Sequence, residues 1–182
     1  CSSVYSGFFN SYKKIAERLD LDAVIHLGDY IYDFVDADEE IRVPTPYPTV
    51  PANKAEWRAR HQYYLMDPDL RAARQMHPWI VIWDNHDTDY SGSVAVESRE
   101  AFLEYVPMRL QDPADNKKIY RKFSYGSMVD IFLIDILLYR DIDNIPSGGT
   151  SILGTTQYNW LTNELQASTA KWKIVGLSLI HI

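Results

Sequence analysis

Two short apolar runs, each ending in a polar cluster, constrain the fold of this chain most. Residues 23–27 read Ala-Val-Ile-His-Leu and run into Gly28-Asp29. Residues 79–83 read Trp-Ile-Val-Ile-Trp and run into Asp84-Asn85-His86-Asp87. Short unbroken apolar runs of this kind predict buried strands. Because helical periodicity lies next to the first of these runs, the order of elements predicts an α/β fold.

The other periodic segments complete a chain of alternating helices and strands. Apolar residues at helical spacing predict helices at Phe8–Leu19, Ala55–Tyr64, Asp69–Met76, Glu97–Tyr105 and Thr155–Ser168. Further strands are predicted at Ile119–Tyr125 and Met128–Leu137, joined as a hairpin at Gly126-Ser127, and at Trp172–Ile182 as a buried terminal strand. The four prolines of Ile41–Lys54 predict a surface excursion or lid, and Asp141–Gly149 is predicted to be a loop.

Composition excludes several classes of protein. The 182 residues carry a net charge of −7, which argues against binding to duplex nucleic acid, since that needs a basic face. No apolar run reaches the 18 residues that a membrane span requires. A single cysteine excludes an internal disulfide. From the residues alone, Cys1 is a small buried residue, a stray thiol or a metal ligand.

The polar clusters that follow the two strands are the candidate site. Ligands of α/β sheets bind beyond the carboxyl ends of strands, so Asp29, Asn85 and His86 converge if the two strands are neighbours. A carboxylate, a carboxamide oxygen and an imidazole suit one or two hard or borderline cations. This set of groups favours metal-assisted hydrolysis, with a simple turn at Gly28-Asp29 as the alternative.

The other histidines of the chain are interpreted as structural. His26 alternates with apolar residues in its strand, which is typical of a core histidine or of one that supports a ligand. His61 and His77 lie on predicted helices without a partner at ligand spacing. None of the three is therefore predicted to be a metal ligand.

Longer strings of residues resemble one family. Residues 26–32 resemble the H-L-G-D-Y-I-Y block of the alkaline phosphatase D (PhoD-like) family of calcineurin-like metallophosphoesterases, and residues 83–87 resemble its W-D-[DN]-H-[DE] block. Tyr64–Leu70 with Pro78 is similar to the segment before the second block, and residues 153–161 are similar to a later L-G-x-x-Q-x-x-W-L helix. The resemblance follows the same order over nearly the whole chain.

The resemblance implies a fold, an activity and a location. The fold would be a partial αββα metallophosphoesterase sandwich whose C-terminal half is missing, with residues 1–182 as the N-terminal part of the catalytic domain. The activity would be metal-dependent hydrolysis of phosphoric esters, as an alkaline phosphatase or phosphodiesterase in which a metal-bound hydroxide attacks phosphorus. The location would be periplasmic or secreted, with a leader outside these residues.

The resemblance also implies roles for single residues. Cys1 and Tyr32 would bind iron, Asp29 would bridge iron and calcium, and Asn85 would bind a cation through its side-chain oxygen. Zinc or manganese are alternative metals. His86 would be the catalytic acid or would stabilise charge near the phosphate. Arg58 or Arg60 would bind the phosphate, with an ordinary exposed helix face as the alternative.

Three departures from the family pattern shape the expectations. Ser3 stands where some relatives have an acid, and Leu137 stands where the D-x-R-x-Y-R pattern has its first arginine. The second metal-binding half of the family lies beyond residue 182. The chain alone is therefore expected to be weakly active or inactive, and marginally stable, aggregation-prone or dimeric through its incomplete sheet. An inactive scaffold of the same fold and a metal-dependent hydrolase of a non-phosphate ester are the alternatives.

Overall fold

The computed structural model resolves the chain into two compact units, Cys1–Met108 and Arg109–Ile182. The structure describes residues 1–35, 37–42, 46–47, 49–89, 92, 94–106, 108–110, 114–115, 117–140 and 151–178. The predicted loop at Asp141–Gly149 and part of the proline-rich stretch at Ile41–Lys54 lie outside the described residues. The assignment of all 182 residues to one catalytic domain stays a prediction.

The two candidate site strands are neighbours in the first unit. Strand β1 (Val24–His26) pairs in parallel with β2 (Trp79–Val81), in the register Val24 to Trp79 and His26 to Val81. Because parallel strands end at the same edge of a sheet, the segments after His26 and Val81 leave side by side. The two strands are thus neighbours, which is the condition under which the two polar clusters were expected to converge.

The helices of the first unit pack in pairs. They are α1 (Asn10–Glu17), α2 (Lys54–Tyr64), α3 (Pro68–Met76) and α4 (Ala95–Tyr105), with a short 3₁₀ helix at Ala37–Glu39. Helix α1 packs on α3, and α2 packs on α4.

Side-chain caps fix where two of these helices begin. The Asn53 side chain accepts from the Glu56 amide at the start of α2. The Asp67 carboxylate accepts from the amides of Asp69 and Leu70 at the start of α3. Pro68 follows as the first helical residue, where its missing N–H costs nothing. The prediction of two separate helices at Ala55–Tyr64 and Asp69–Met76 is therefore confirmed, with the break at Asp67-Pro68.

Large aromatic side chains form the core of the first unit. The largest fully buried ones are Tyr5, Tyr30, Trp57, Tyr64, Trp83 and Phe102. The prediction of a helix over Phe8–Leu19 was too long, because α1 covers only Asn10–Glu17 and leaves Phe8 and Leu19 72% and 85% exposed. The apolar stripe that reaches the core consists of Phe9 and Tyr12, which contact each other edge to face.

The second unit holds a three-stranded sheet and one helix. Strands β3 (Arg121–Tyr125) and β4 (Val129–Leu133) form the predicted antiparallel hairpin, and β5 (Trp172–Gly176) adds in parallel to β4. Helix α5 spans Gly154–Ala167. Gly126 has a φ of 57° in the hairpin turn, a conformation that glycine adopts without steric cost.

The prediction of a buried terminal strand was wrong in its burial. Strand β5 lies at one edge of the sheet β3-β4-β5, and four of its five residues are exposed. An apolar run predicts a strand with both faces covered, whereas among the described residues β5 pairs with β4 alone and side chains on both of its faces are exposed. Residues 179–182 of the predicted strand lie outside the described residues. Among the helices that the structure describes, none has the length and apolar character needed to cross a membrane.

Candidate active site

One buried carboxylate ties the two loops of the candidate site together. Asp87 is fully buried, and its Oδ1 accepts from the amides of Tyr30 and Ile31 at 2.8 and 3.0 Å. Its Oδ2 accepts from the Asp84 amide at 2.9 Å. Burial raises the pKa of Asp87 to about 8, while the three N–H donors lower it. Asp87 therefore clamps the loop after β1 to the loop after β2.

The loop after β1 turns sharply at two left-handed residues. Gly28 has a φ of 108° and Asp29 a φ of 48°, which is an uncommon conformation for a residue with a side chain. The N-terminal segment secures this turn, because the Ser2 amide donates to the Asp29 carbonyl at 3.1 Å. The Ser2 hydroxyl donates to the carbonyl of Tyr30 at 3.0 Å. The chain start is thus bonded to the loop that carries Asp29.

Three metal-binding types of side chain meet at Asp29, and we term Cys1, Asp29 and Tyr32 the donor cluster. The Cys1 thiol donates to Asp29 Oδ2 at 3.2 Å, and the Tyr32 hydroxyl lies 3.4 Å from the same oxygen. Asp29 is 7% exposed, and its Oδ1 is buried without a hydrogen-bond partner. Burial, and then the Asp29 charge, raise the pKa of Tyr32.

His86 stands beside the donor cluster. Its ring stacks on that of Tyr32, with centroids 4.3 Å apart and planes at 22°. Its Nδ1–H donates to Asp33 Oδ1 at 2.7 Å, and the Asp33 carboxylate is nearly buried. Burial opposes the charge on the imidazole, but the Asp33 carboxylate outweighs it and raises the pKa of His86. His86 and Asp33 thus form a carboxylate–imidazole pair next to Asp29.

Asn85 contributes less to this arrangement than the sequence predicted. It is exposed, and its backbone N–H donates to Asp84 Oδ1 at 2.8 Å. In the part of the chain that the structure describes, its carboxamide makes no hydrogen bond to the donor cluster. Its role as a cation ligand stays a prediction.

The two arginines predicted to bind phosphate have protein partners. Arg58 forms a two-point ion pair with Glu104, at 2.6 and 2.7 Å. Arg60 is buried and donates to the carbonyl oxygens of Asp33, Glu56 and Thr49. Phosphate binding by either arginine stays a prediction. The alternative of an exposed helix face describes Arg58, whereas Arg60 is buried.

The three histidines interpreted as structural lie among packed side chains. His26 Nε2 lies 2.9 Å from the Tyr12 hydroxyl, and His77 Nε2 donates to the Ile15 carbonyl at 2.8 Å. His61 is fully buried and stacks on Tyr105 at 5.2 Å. None of the three has a hydrogen bond to the donor cluster among the described residues, although the charges of Asp29 and of the Cys1 amino group act on the His26 imidazole.

Comparison with known proteins identifies the family. The sequence pattern of PhoD-like phosphatases matches residues 1–181. The chain belongs to the PhoD-like phosphatase family. Alkaline phosphatase D of Bacillus subtilis (strain 168) is 27% identical over 209 residues, which cover 97% of this chain and 35% of that protein.

A solved structure confirms the fold of this PhoD-like chain. The structure of PhoD matches it with a TM-score of 0.78 and 28% identity, over 96% of this chain and 39% of that one. The predicted α/β fold, as part of the larger PhoD fold, is therefore confirmed. The chain spans little more than a third of the length of these relatives.

The donor cluster fits a metal ion by its chemistry. A buried carboxylate oxygen without a hydrogen-bond partner costs free energy unless a ligand satisfies it, and Asp29 Oδ1 is such an atom. A thiol and a phenol flank the other oxygen, and both bind metals when deprotonated. Within the described residues, no group of three or more His, Cys, Asp and Glu side chains could hold a metal ion. A metal held by Cys1 and Asp29 would therefore need the phenol of Tyr32 as its third donor.

Two side chains that shape this candidate site were not singled out from the sequence. Asp33 follows the Tyr30-Ile31-Tyr32 string and had no motif of its own, although an acid four residues after Asp29 was visible. Asp87 was part of the Asn85-His86-Asp87 string, but nothing in the string shows that it bonds a loop 57 residues away. Both roles depend on long-range contacts that spacing alone does not reveal.

Proposed function

We propose that this PhoD-like chain supplies one part of the active site of a metal-dependent phosphoric ester hydrolase. The observation that carries the proposal is the donor cluster around the unsatisfied Asp29 Oδ1, with the His86–Asp33 pair stacked against it. Metal donors and a proton-transferring group therefore lie side by side, as hydrolysis of a phosphate ester requires.

The residues divide into metal ligands and a proton donor. Cys1, Asp29 and Tyr32 would hold iron, and Asp29 with Asn85 would hold a calcium ion. When bound, these cations supply positive charge that offsets the phosphoryl oxygens and lowers the pKa of a bound water. The family relationship supports these assignments, and the contacts of Asp29 with Cys1 and Tyr32 support the first of them.

His86 is the group that moves a proton. Since Nδ1–H donates to the Asp33 carboxylate, Nε2 is the nitrogen left to face a substrate. In its protonated form, His86 gives the Nε2 proton to the leaving-group oxygen as the P–O bond breaks, so that an alcohol departs. The Asp33 carboxylate stabilises the charged imidazole before that transfer, and Tyr32 holds the face of the ring.

Metal binding and ester hydrolysis test the proposal separately. The purified chain is titrated with ferric iron, and a visible charge-transfer absorption band is expected because thiolate and phenolate ligands produce one. Cys1→Ser and Tyr32→Phe should each weaken or shift this band. An unchanged band in both variants, or no iron uptake by the parent chain, would point to a non-catalytic scaffold.

Hydrolysis is then measured on p-nitrophenyl phosphate, bis-p-nitrophenyl phosphate and p-nitrophenyl acetate with the iron- and calcium-loaded chain. Phosphate esters are expected to be cleaved in preference to the acetate, at the low rate expected of a chain that spans about a third of its relatives. His86→Ala should lower kcat at least about 100-fold with its metal content retained. His77→Gln, which changes a histidine outside the site, is the matched control.

Preference for the acetate would instead indicate a hydrolase of carboxylic esters. A periplasmic or secreted location is proposed with the function, on the strength of the family resemblance. Two further points stay predictions: that the chain does not bind duplex nucleic acid, and that it forms a dimer through its sheet.

A further inference from the structure

Arg60 is a buried cation that has only neutral partners. It is 3% exposed, and among the described residues it forms no ion pair. Its guanidinium donates from Nε to the Asp33 carbonyl at 3.1 Å, from Nη1 to the Glu56 carbonyl at 3.3 Å and from Nη2 to the Thr49 carbonyl at 2.7 Å. It also lies over the Tyr47 ring, 4.2 Å from the centroid. Its side chain is therefore fixed from several directions.

The residue that Arg60 fastens belongs to a three-residue segment that holds His86. Tyr32 stacks on the His86 ring, Asp33 accepts from its Nδ1–H, and Phe34 contacts it with centroids 5.9 Å apart. Asp33 is the middle residue of this segment. The Arg60 guanidinium donates both to the Asp33 carbonyl and to the Thr49 carbonyl. A shift of the Asp33 backbone would therefore move all three contacts with the imidazole.

We propose that Arg60 is a positioning residue, which fastens the segment Tyr32–Phe34 to residue 49 and so fixes His86 with Nδ1–H on Asp33 and Nε2 toward the substrate. This inference rests on the proposed function of His86. It replaces phosphate binding as the role of Arg60, because three of the five guanidinium N–H donors are already bonded to carbonyl oxygens in the interior. Residues that orient a reacting group in this way act through geometry rather than through contact with the substrate.

The first test observes the imidazole and needs no turnover. In the ring ¹⁵N–¹H spectrum of the full chain, the Nδ1–H of His86 is expected as a downfield signal protected from exchange, which His86→Gln identifies by its loss. Arg60→Lys should broaden or remove this signal, because a single ammonium nitrogen cannot occupy the three positions from which Nε, Nη1 and Nη2 donate. Arg71→Met, at an exposed arginine of α3, should leave it in place. Absence of the signal in the parent chain would overturn the inference.

Kinetics on the metal-loaded chain separate positioning from phosphate binding. Positioning predicts that Arg60→Lys lowers kcat about 10- to 100-fold, while KM and the inhibition constant of inorganic phosphate stay within about twofold. Asp33→Asn should reproduce this pattern, and Asp33→Glu should restore part of it. A raised KM and weaker phosphate inhibition with an unchanged His86 signal would show that Arg60 binds phosphate.

Thermal unfolding keeps the test decisive if a variant is unstable. Arg60→Lys is compared with Arg60→Met at a temperature where each is folded. If both variants are folded and the His86 signal persists in both, the inference is wrong. Failure of the parent chain to hydrolyse any ester would remove the proposed function but would leave the spectroscopic result intact, so the two failures are distinguishable.

Discussion

Asp87 and Asp135 are both fully buried aspartates that follow a strand, and they use their carboxylates differently. Asp87 Oδ1 accepts from Tyr30 and Ile31, which lie on another loop of the first unit. Asp135 Oδ1 accepts from the amides two and three residues ahead, at 2.7 and 3.0 Å. The first carboxylate joins distant segments, and the second closes a local turn.

The difference shows how similar sequence signals lead to different consequences. A local turn involves only a few consecutive residues, so its loss affects mainly those residues. A carboxylate that bonds two loops holds them at one distance, and the donor cluster and His86 lie on those loops. Asp87 is therefore expected to control the geometry of the site as well as the stability of the fold.

The largest effect is expected for Asp87→Ala. Three buried amides lose their acceptor, which should lower the free energy of unfolding by about 4 kcal/mol. Urea unfolding measures the loss, and the ring signal of His86 should disappear at the same time. If the His86 signal persists in the folded variant, Asp87 does not set the distance between the loops.

Acid should destabilise the first unit more than the second. Four of the five histidines lie in Cys1–Met108, and His61 is packed between Tyr105 and Phe102 with both ring nitrogens unbonded. Burial, and then the charge of Arg74, lower the pKa of His61 to about 3, while Glu104 opposes them.

Because the unfolded chain binds the proton below its ordinary pKa near 6.5, the stability contributed by neutral His61 is complete above that pH. It is lost as the pH falls toward 3, by about 2 kcal/mol between pH 6.5 and 5. Urea unfolding across this range measures the slope. His61→Phe keeps the ring packing and should flatten it, and an equal slope in that variant would assign the acid sensitivity to another group.

A smaller effect is expected for Asp135→Ala. The two local amides lose their acceptor, but the backbone of residue 135 keeps its bonds to the Gln157 side chain. The expected loss is about 1.5 kcal/mol, without change in the His86 ring signal. Loss of the His86 signal in Asp135→Ala would show that Asp87 is not distinct from Asp135 in its effect on the site.

The smallest expected effect is the difference in stability between two glycine variants of the second unit, which separates backbone strain from steric crowding. Gly126 and Gly154 both have left-handed backbones, at φ 57° and 64°, but only at Gly154 would a Cβ meet another atom, the Tyr139 carbonyl oxygen at 2.9 Å. Both alanine variants should be destabilised by the backbone strain. Gly154→Ala should lose about 1 kcal/mol more. Equal melting temperatures would show that Tyr139 moves aside freely.

The sequence predicted the elements that rest on local periodicity. The separation of α2 from α3 at Asp67-Pro68 is one of these, whereas the parallel pairing of β1 with β2 was only the condition under which the site was expected to form. The exposure of β5 could not be predicted, because an apolar run looks the same at the centre of a sheet and at its edge.

The site was predicted as a set of residue types but not as a network. Asp29 and His86 stood out because polar residues directly follow apolar strands. Asp33 and the role of Arg60 depend on which side chains meet across 27 to 53 positions of chain, and no local pattern encodes that. Family resemblance, and not periodicity, singled out Cys1 and Tyr32.

The left-handed backbone at Asp29 sets a limit on what can replace it. Apart from glycine, asparagine and aspartate are the residues that most readily occupy this region, so most substitutions would alter the path of the chain as well as the carboxylate. The conformation is already imposed by folding, before any ion arrives. Binding of an ion therefore costs little conformational entropy at this residue, and this preorganisation favours affinity.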